Sequence, residues 1–146
     1  MLTFLNLEAE GFCSIESLHL QLNPTCTILI KAPNGKGKST ILSALVWAIY
    51  GKNLKGVSEV NTWKQVRPKD YKGTKVQVYF QKDSHTYKIV RCQKYDEVLE
   101  DGAKGKDRLI FMKDGDIVDI KGKGKIQDFI NREIGLSYTL FMNSIM

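Results

Sequence analysis

Nine consecutive residues, Ala32-Pro33-Asn34-Gly35-Lys36-Gly37-Lys38-Ser39-Thr40, stand between a short apolar strand candidate, Thr27 to Ile30, and a helix candidate, Lys38 to Tyr50. A strand, a glycine-rich turn and a helix in that order restrict the chain to folds that present a β-to-α junction to a phosphate group. Gly35 and Gly37 let the main chain approach an anion closely and adopt positive φ where a cradle of N–H groups requires it. Lys38, at the start of the helix, would aim its ammonium at the β and γ phosphates of a nucleoside triphosphate such as ATP. The Ser39 hydroxyl would ligate the accompanying Mg²⁺. Ala32 stands where the pattern G-x-x-x-x-G-K-[ST] has its first glycine. Pro33 holds the preceding residue in extended, negative-φ backbone, which alanine adopts as readily as glycine.

The run Thr27-Ile28-Leu29-Ile30 is of the kind buried on both faces in a parallel sheet. From Ile41 to Ile49 apolar residues lie on several sides of the predicted helix, which must therefore be largely buried, and Gly51 supplies its C′ stop. Upstream, Leu2 to Glu8 reads as a strand. Ser17 to Leu22 alternates strictly, with Leu18, Leu20 and Leu22 on one face, so the two make a hairpin-like opening around Gly11 to Ser14. Downstream, two hairpins are expected. One joins Lys75–Phe80 to His85–Cys92 around Lys82-Asp83-Ser84, and the other joins Arg108–Met112 to Asp116–Ile120 around Asp114-Gly115. Lys94 to Lys106 reads as a loop between them. An amphipathic helix follows over Ile126 to Ile134, ended by Gly135, and Leu136 to Met146 begins a further apolar segment.

Composition narrows the class. The 146 residues are 42% hydrophobic and 26% charged, which fits one soluble globular domain. There is no run of about 18 apolar residues and no basic N-terminal start of a secretion signal, which points to the cytoplasm and to no membrane partner. Cys13, Cys26 and Cys92 are odd in number and widely spaced, and His19 and His85 have no partner at metal-ligand spacing, so they read as reduced structural thiols and surface histidines. The net charge of +6 favours a polyanionic partner, nucleic acid first.

The string Gly-Lys-Gly-Lys recurs at Gly122 to Lys125, but there it follows a hairpin and lacks the Ser-Thr pair, so it reads as a flexible basic turn. Hydrolysis of a nucleotide also needs a carboxylate to hold Mg²⁺ through its water shell. The apolar run followed by an acid, Leu109 to Asp114, continues into Gly115 and Asp116, which makes a hairpin turn the better reading of Asp114. The segment then binds nucleotide without the whole hydrolytic machinery.

The strand pair, the P-N-G-x-G-K-S-T junction and the helix Ile41-Leu42-Ser43-Ala44-Leu45-Val46-Trp47-Ala48-Ile49-Tyr50-Gly51 together resemble the start of the SMC-type ATPases. The resemblance is nearest to the SbcC-like branch, ATPase subunits of DNA double-strand-break repair exonucleases in bacteria and phages. Val76–Phe80 with Tyr87–Arg91 is similar to that branch's "F…Y-x-I-x-R" hairpin, and Ile134-Gly135-Leu136-Ser137 with Phe141-Met142-Asn143 is similar to the stretch before its glutamine loop. The resemblance implies an α/β P-loop NTPase fold of ABC/SMC type, with a mixed sheet, antiparallel hairpins and a buried P-loop helix. Residues 1–146 would form the N-terminal lobe of an AAA/ABC-type ATPase head, with coiled coil, signature motif and magnesium-binding carboxylate lying beyond Met146.

On that resemblance Asn34, Gly35, Lys36, Gly37, Lys38, Ser39 and Thr40 line the phosphates of ATP, with Ser39 on Mg²⁺ and Lys38 stabilising charge on the transferred phosphoryl group. Lys36 either adds charge there or is solvated. From Lys52 to Lys75 the chain has seven lysines and arginines against two acids and is expected to form an exposed loop. Lys64, Arg67, Lys69 and Lys72, beside Trp63 and Tyr71, form a candidate DNA-facing surface or an ordinary solvated loop. The implied role is the ATP-binding lobe of a DNA repair ATPase that regulates a partner nuclease at DNA ends and pairs with a second ATPase head. The alternatives are a non-hydrolysing ATP-binding scaffold and, against the long basic insert, a transporter-type ATPase fragment.

Overall fold

The computed structural model describes residues 2–13, 15–21, 35–52, 56–62, 67–135 and 138–139, with side chains of the P-loop helix from Ile41 onward. The elements in chain order are β1 (Leu2–Phe12), β2 (Ile15–Gln21), α1 (Gly35–Tyr50), β3 (Thr74–Lys82), β4 (His85–Gln93), β5 (Tyr95–Val98), β6 (Lys104–Lys106), β7 (Leu109–Lys113), β8 (Asp116–Ile117) and α2 (Lys123–Ile134). The strand candidate Thr27 to Ile30 and the apolar segment from Leu140 to Met146 lie outside the described residues.

A six-stranded sheet runs in the order β2-β1-β3-β4-β7-β8, with every described pairing antiparallel. Alternation along the strands sets its two faces. Val76, Val78 and Phe80 of β3 are fully buried, while Lys75, Gln77 and Tyr79 between them face the other side. Phe80 lies directly opposite Tyr87, and their rings stack at 4.9 Å. Tyr87 stacks on Phe111 at 5.5 Å, and Phe111 meets Phe129 of α2 edge to face at 5.7 Å. Each such pair contributes about 0.5–1.5 kcal/mol beyond its buried area.

Both expected hairpins form on two-residue turns. Asp83 and Ser84 have φ of 50° and 70°, and Asp114 and Gly115 have φ of 51° and 86°. Positive φ at both central residues is the turn geometry whose twist matches that of the strands. The second hairpin is shorter than its sequence suggests: β8 ends at Ile117, after which the Val118 N–H still reaches Phe111 O at 2.8 Å.

α1 lies on the inner face of the sheet, and its residues Ala44 to Tyr50 are all buried. Its polypeptide turns at Gly51, φ 81°, whose N–H reaches Trp47 O at 2.7 Å. α2 packs against β7, buries Ile130 and Ile134 in the same core as α1, and ends at Gly135, an αL cap whose N–H reaches Asn131 O. Glu133 ties α2 to the sheet, accepting from Lys113 at 3.2 Å and from the Tyr87 hydroxyl at 3.4 Å.

Three readings of the sequence need correction. Gly122 to Lys125 is no flexible turn, because Gly122 is the N-cap of α2 and Lys123-Gly124-Lys125 its first turn. The Lys94–Lys106 loop contains the β5–β6 pair, which buries Tyr95 and Gly105. The exposed loop from Lys52 to Lys75 has a buried centre in Val60, Asn61 and Thr62.

That buried centre rests on a polar junction. Gly11 O accepts from Thr74 Oγ1 at 2.7 Å and from the Tyr71 hydroxyl at 3.0 Å. Asn61 Nδ2 lies 2.8 Å from Thr74 Oγ1 and 3.0 Å from Gln93 O, while Gln93 Oε1 accepts the Val60 N–H at 2.7 Å. Hydrogen bonds of this kind are what allow polar backbone to be buried without a ladder.

Candidate nucleotide-binding site and basic face

Gly35 to Thr40 form the first two turns of α1. The first four N–H groups of a helix have no partner within it, and the aligned peptide dipoles place about half a positive charge at that end. The first turn, Gly35-Lys36-Gly37-Lys38, contains no acid to satisfy them. The sequence therefore puts Gly35, Lys36, Gly37, Lys38, Ser39 and Thr40 at the electropositive end of a helix whose later turns, Ala44 to Tyr50, are buried. This donor set matches a polyphosphate with its Mg²⁺ in charge and in hydrogen-bonding sense. Ala32, Pro33 and Asn34, and the side chains of Lys36, Lys38, Ser39 and Thr40, lie outside the described residues.

Asp114 is committed elsewhere. It occupies the β7–β8 turn, accepts the Thr86 N–H at 2.9 Å and pairs with His85 Nδ1 at 2.6 Å. The Thr86 N–H first, and then His85, hold its carboxyl below the usual carboxylate range. The hairpin reading of Asp114 is the one the geometry supports.

The four basic residues singled out between 64 and 72 are unequal. Lys64, with Trp63, lies outside the described residues. Arg67 is folded back, its Nε donating to Thr62 O at 2.5 Å and its guanidinium sitting 4.7 Å from the centre of the Tyr71 ring. Lys72 pairs with Glu97 at 2.8 Å. Lys69 is exposed. Tyr71 has one face covered by Arg67 and its hydroxyl engaged with Gly11 in the junction.

A second cluster was missed by the sequence. The Lys94 backbone N–H donates to Asp107 Oδ1 at 2.9 Å and Lys123 Nζ to Asp107 O at 2.7 Å, which brings the backbone of Lys94 and the ammonium of Lys123 to the residue that follows Lys106. Lys121 and Lys125 flank Lys123 at the start of α2 and are exposed. Burial first, and then the neighbouring Arg91, lower the Lys123 pKa. The signal was present as the repeated Gly-Lys-Gly-Lys string, but only the folded chain brings 94, 106 and 121–125 to one place.

Among the described residues no helix is long and apolar enough to cross a membrane. A comparison with curated proteins gives no match. Among solved structures, the chain is similar to the recombination mediator protein RecF of the RecFOR pathway. The match to RecF-ATPrS has 16% identity, a TM-score of 0.53, and covers 86% of this chain and 29% of that one. The match to RecF-ATP has 17% identity, a TM-score of 0.51, and covers 86% and 30%. The chain thus spans less than a third of the RecF length and shares the α/β P-loop NTPase fold. A family profile described as an AAA domain matches residues 6–146, all but the first five positions, and the chain belongs to that AAA domain family.

Proposed function

We propose that the chain is the ATP-binding lobe of a DNA repair or recombination ATPase. The observation that carries this reading is the Gly35–Thr40 sequence forming the acid-free start of α1, a helix buried further along, in an AAA domain. In this reading Asn34 to Thr40 hold the ATP phosphates, Ser39 binds Mg²⁺, and Lys38 neutralises charge on the γ phosphate. Bound Mg²⁺ would offset the triphosphate's charge. The similarity to RecF, a recombination mediator by its printed description, supports a role on DNA. DNA is then the polyanion for the lysines around Asp107 and at the start of α2, with the Arg67–Lys72 loop in a lesser part. Regulation of a nuclease at DNA ends and pairing with a second ATPase head complete the SbcC-like version of this role.

A second reading, an ATP-binding scaffold without turnover, draws on the engagement of Asp114 in its hairpin. One experiment separates the readings. Equilibrium binding of a fluorescent ATP analogue with Mg²⁺ should be tight for the chain and at least about tenfold weaker for Lys38→Ala, equivalent to about 1.4 kcal/mol. Equal binding by both proteins would remove the phosphate site from consideration. Steady ATP turnover by the chain, lost in Lys38→Ala, would eliminate the scaffold reading.

A further inference from the structure

The last four carbonyls of a helix have no partner inside it. At the end of α1 two of them, Ala48 O and Ile49 O, are met by side chains from two directions. Arg91 of β4 donates from Nε to Ala48 O at 3.0 Å and from Nη2 to Ile49 O at 3.3 Å. Gln127 of α2 donates from Nε2 to Ile49 O at 2.8 Å and accepts from Arg91 Nη2 at its Oε1. Gln127 Nε2 also lies 3.0 Å from Asn131 Oδ1, one turn further along α2. Gly51 leaves space for the guanidinium, since a Cβ there would stand 3.0 Å from Nη1. Sheet, α1 and α2 therefore meet at a single hydrogen-bonded point.

The choice of residue is informative. Arg91 is 5% exposed, and among the described residues its hydrogen-bond partners are two backbone carbonyls and one amide, with no carboxylate. A buried charge is a weak device for simple stability, because apolar residues of similar volume often do as well. What a planar guanidinium supplies is direction, as several N–H groups in a fixed fork. Gln127 likewise binds two elements through one planar amide.

We propose that Arg91 and Gln127 are positioning residues that lock α1 to α2, so that occupancy of the N-terminal end of α1 is felt at α2. The proposal rests on the reading of that end as a nucleotide site. α1, at 16 residues, is about 24 Å long and buried over its last two turns, so a shift at one end is delivered to the other. α2 carries Lys123 and Lys125 in its first turn, which places the junction between the nucleotide end and the basic face.

Hydrogen exchange of the full chain, with and without ATP and Mg²⁺, tests this. In the native sequence ATP should slow exchange both at residues 35–40 and at residues 126–134, the latter by about fivefold or more. Gln127→Leu keeps the helix and removes the bridge. It should retain ATP affinity and the slowing at 35–40, and lose the slowing at 126–134. Arg91→Lys, which keeps the charge and removes the fork, should behave alike, and Gln127→Leu carries the test should that variant not fold. Slowing confined to 35–40 in the native chain, or an unchanged α2 response in Gln127→Leu, overturns the coupling alone. No slowing at 35–40 overturns the nucleotide site and the coupling with it.

Discussion

Gly73 sits at φ 104° with its Cα against the neighbouring strand turn, where an added Cβ would lie 2.1 Å from Lys94 O. The clash is with backbone rather than with the far end of a flexible side chain, so relieving it requires the main chain to shift. Gly102 has a similar φ of 84°, but nothing lies within 4 Å of its Cβ position. The pair separates two costs of a side chain. Gly102→Ala should lose only the left-handed backbone penalty of about 1–2 kcal/mol. Gly73→Ala should lose about 3 kcal/mol or more, since overpacking adds to that penalty. Urea unfolding of the two variants checks the difference, and equal losses would show that the Gly73 backbone relaxes. The sequence marks both residues simply as glycines. Arg91 is a similar case: it reads as one member of a strand pattern, and only the packing of β4 under α1 makes it the cap of that helix. Burial lowers its pKa to about 10, which still leaves it charged at neutral pH.

The elements differ in how far local sequence specifies them. The β3–β4 and β7–β8 hairpins were legible because Asp-Ser and Asp-Gly accept positive φ at both turn positions. The β5–β6 pair was not legible. Its strands have four and three residues and are rich in charge, and they are held by Tyr95 packing on Cys92 and by the ends of the loop. One of those ends is the Asp101–Arg108 pair, in which both terminal nitrogens of the guanidinium donate to the carboxylate. Arg108 first, then the Ala103 N–H, holds the Asp101 carboxyl down to about 2. A depressed folded pKa means stabilisation that is complete above the ordinary carboxylate value of about 4 and is lost as pH falls through the folded value. Protonation of Asp101 should therefore loosen this loop between about pH 4 and about pH 2. The thermal midpoint of the native chain should fall more steeply over that range than that of Asp101→Asn. Parallel curves for the two proteins would mean that the pair contributes nothing, as exposed pairs sometimes do.

At the scale of the whole molecule, charge was legible as a sum but not in how each cation is engaged. The net +6 pointed to a polyanion, and the 52–75 stretch, with its seven lysines and arginines against two acids, supplied the candidate surface. In the folded chain Arg67 and Lys72 are engaged with Tyr71 and Glu97, while the Lys94 backbone and the Lys123 ammonium meet at Asp107, with exposed Lys106 beside it and exposed Lys121 and Lys125 flanking Lys123 in the chain. If duplex DNA lies on this face, neutralising Lys121, Lys123 and Lys125 should weaken binding and reduce the slope of log K against log salt by about 2–3, near 0.9 per phosphate contact. Neutralising Arg67, Lys69 and Lys72 should change the slope by less than half as much. Fluorescence anisotropy over a salt series measures both, and the opposite ranking would return the DNA face to the 67–72 loop. The sequence by itself determined the glycine–lysine start of α1 proposed as the phosphate site, the buried helix behind it and two of the hairpins. Each depends on residues close in the chain: glycines before a lysine, an apolar run with a glycine stop, a turn pair between alternating strands. Only the tertiary structure decided which lysines share a face, why Val60 to Thr62 are buried and what holds the far end of α1. Those depend on contacts such as Gln93 to Val60 and Arg91 to Ala48, whose partners lie more than 30 residues apart and carry no local signature.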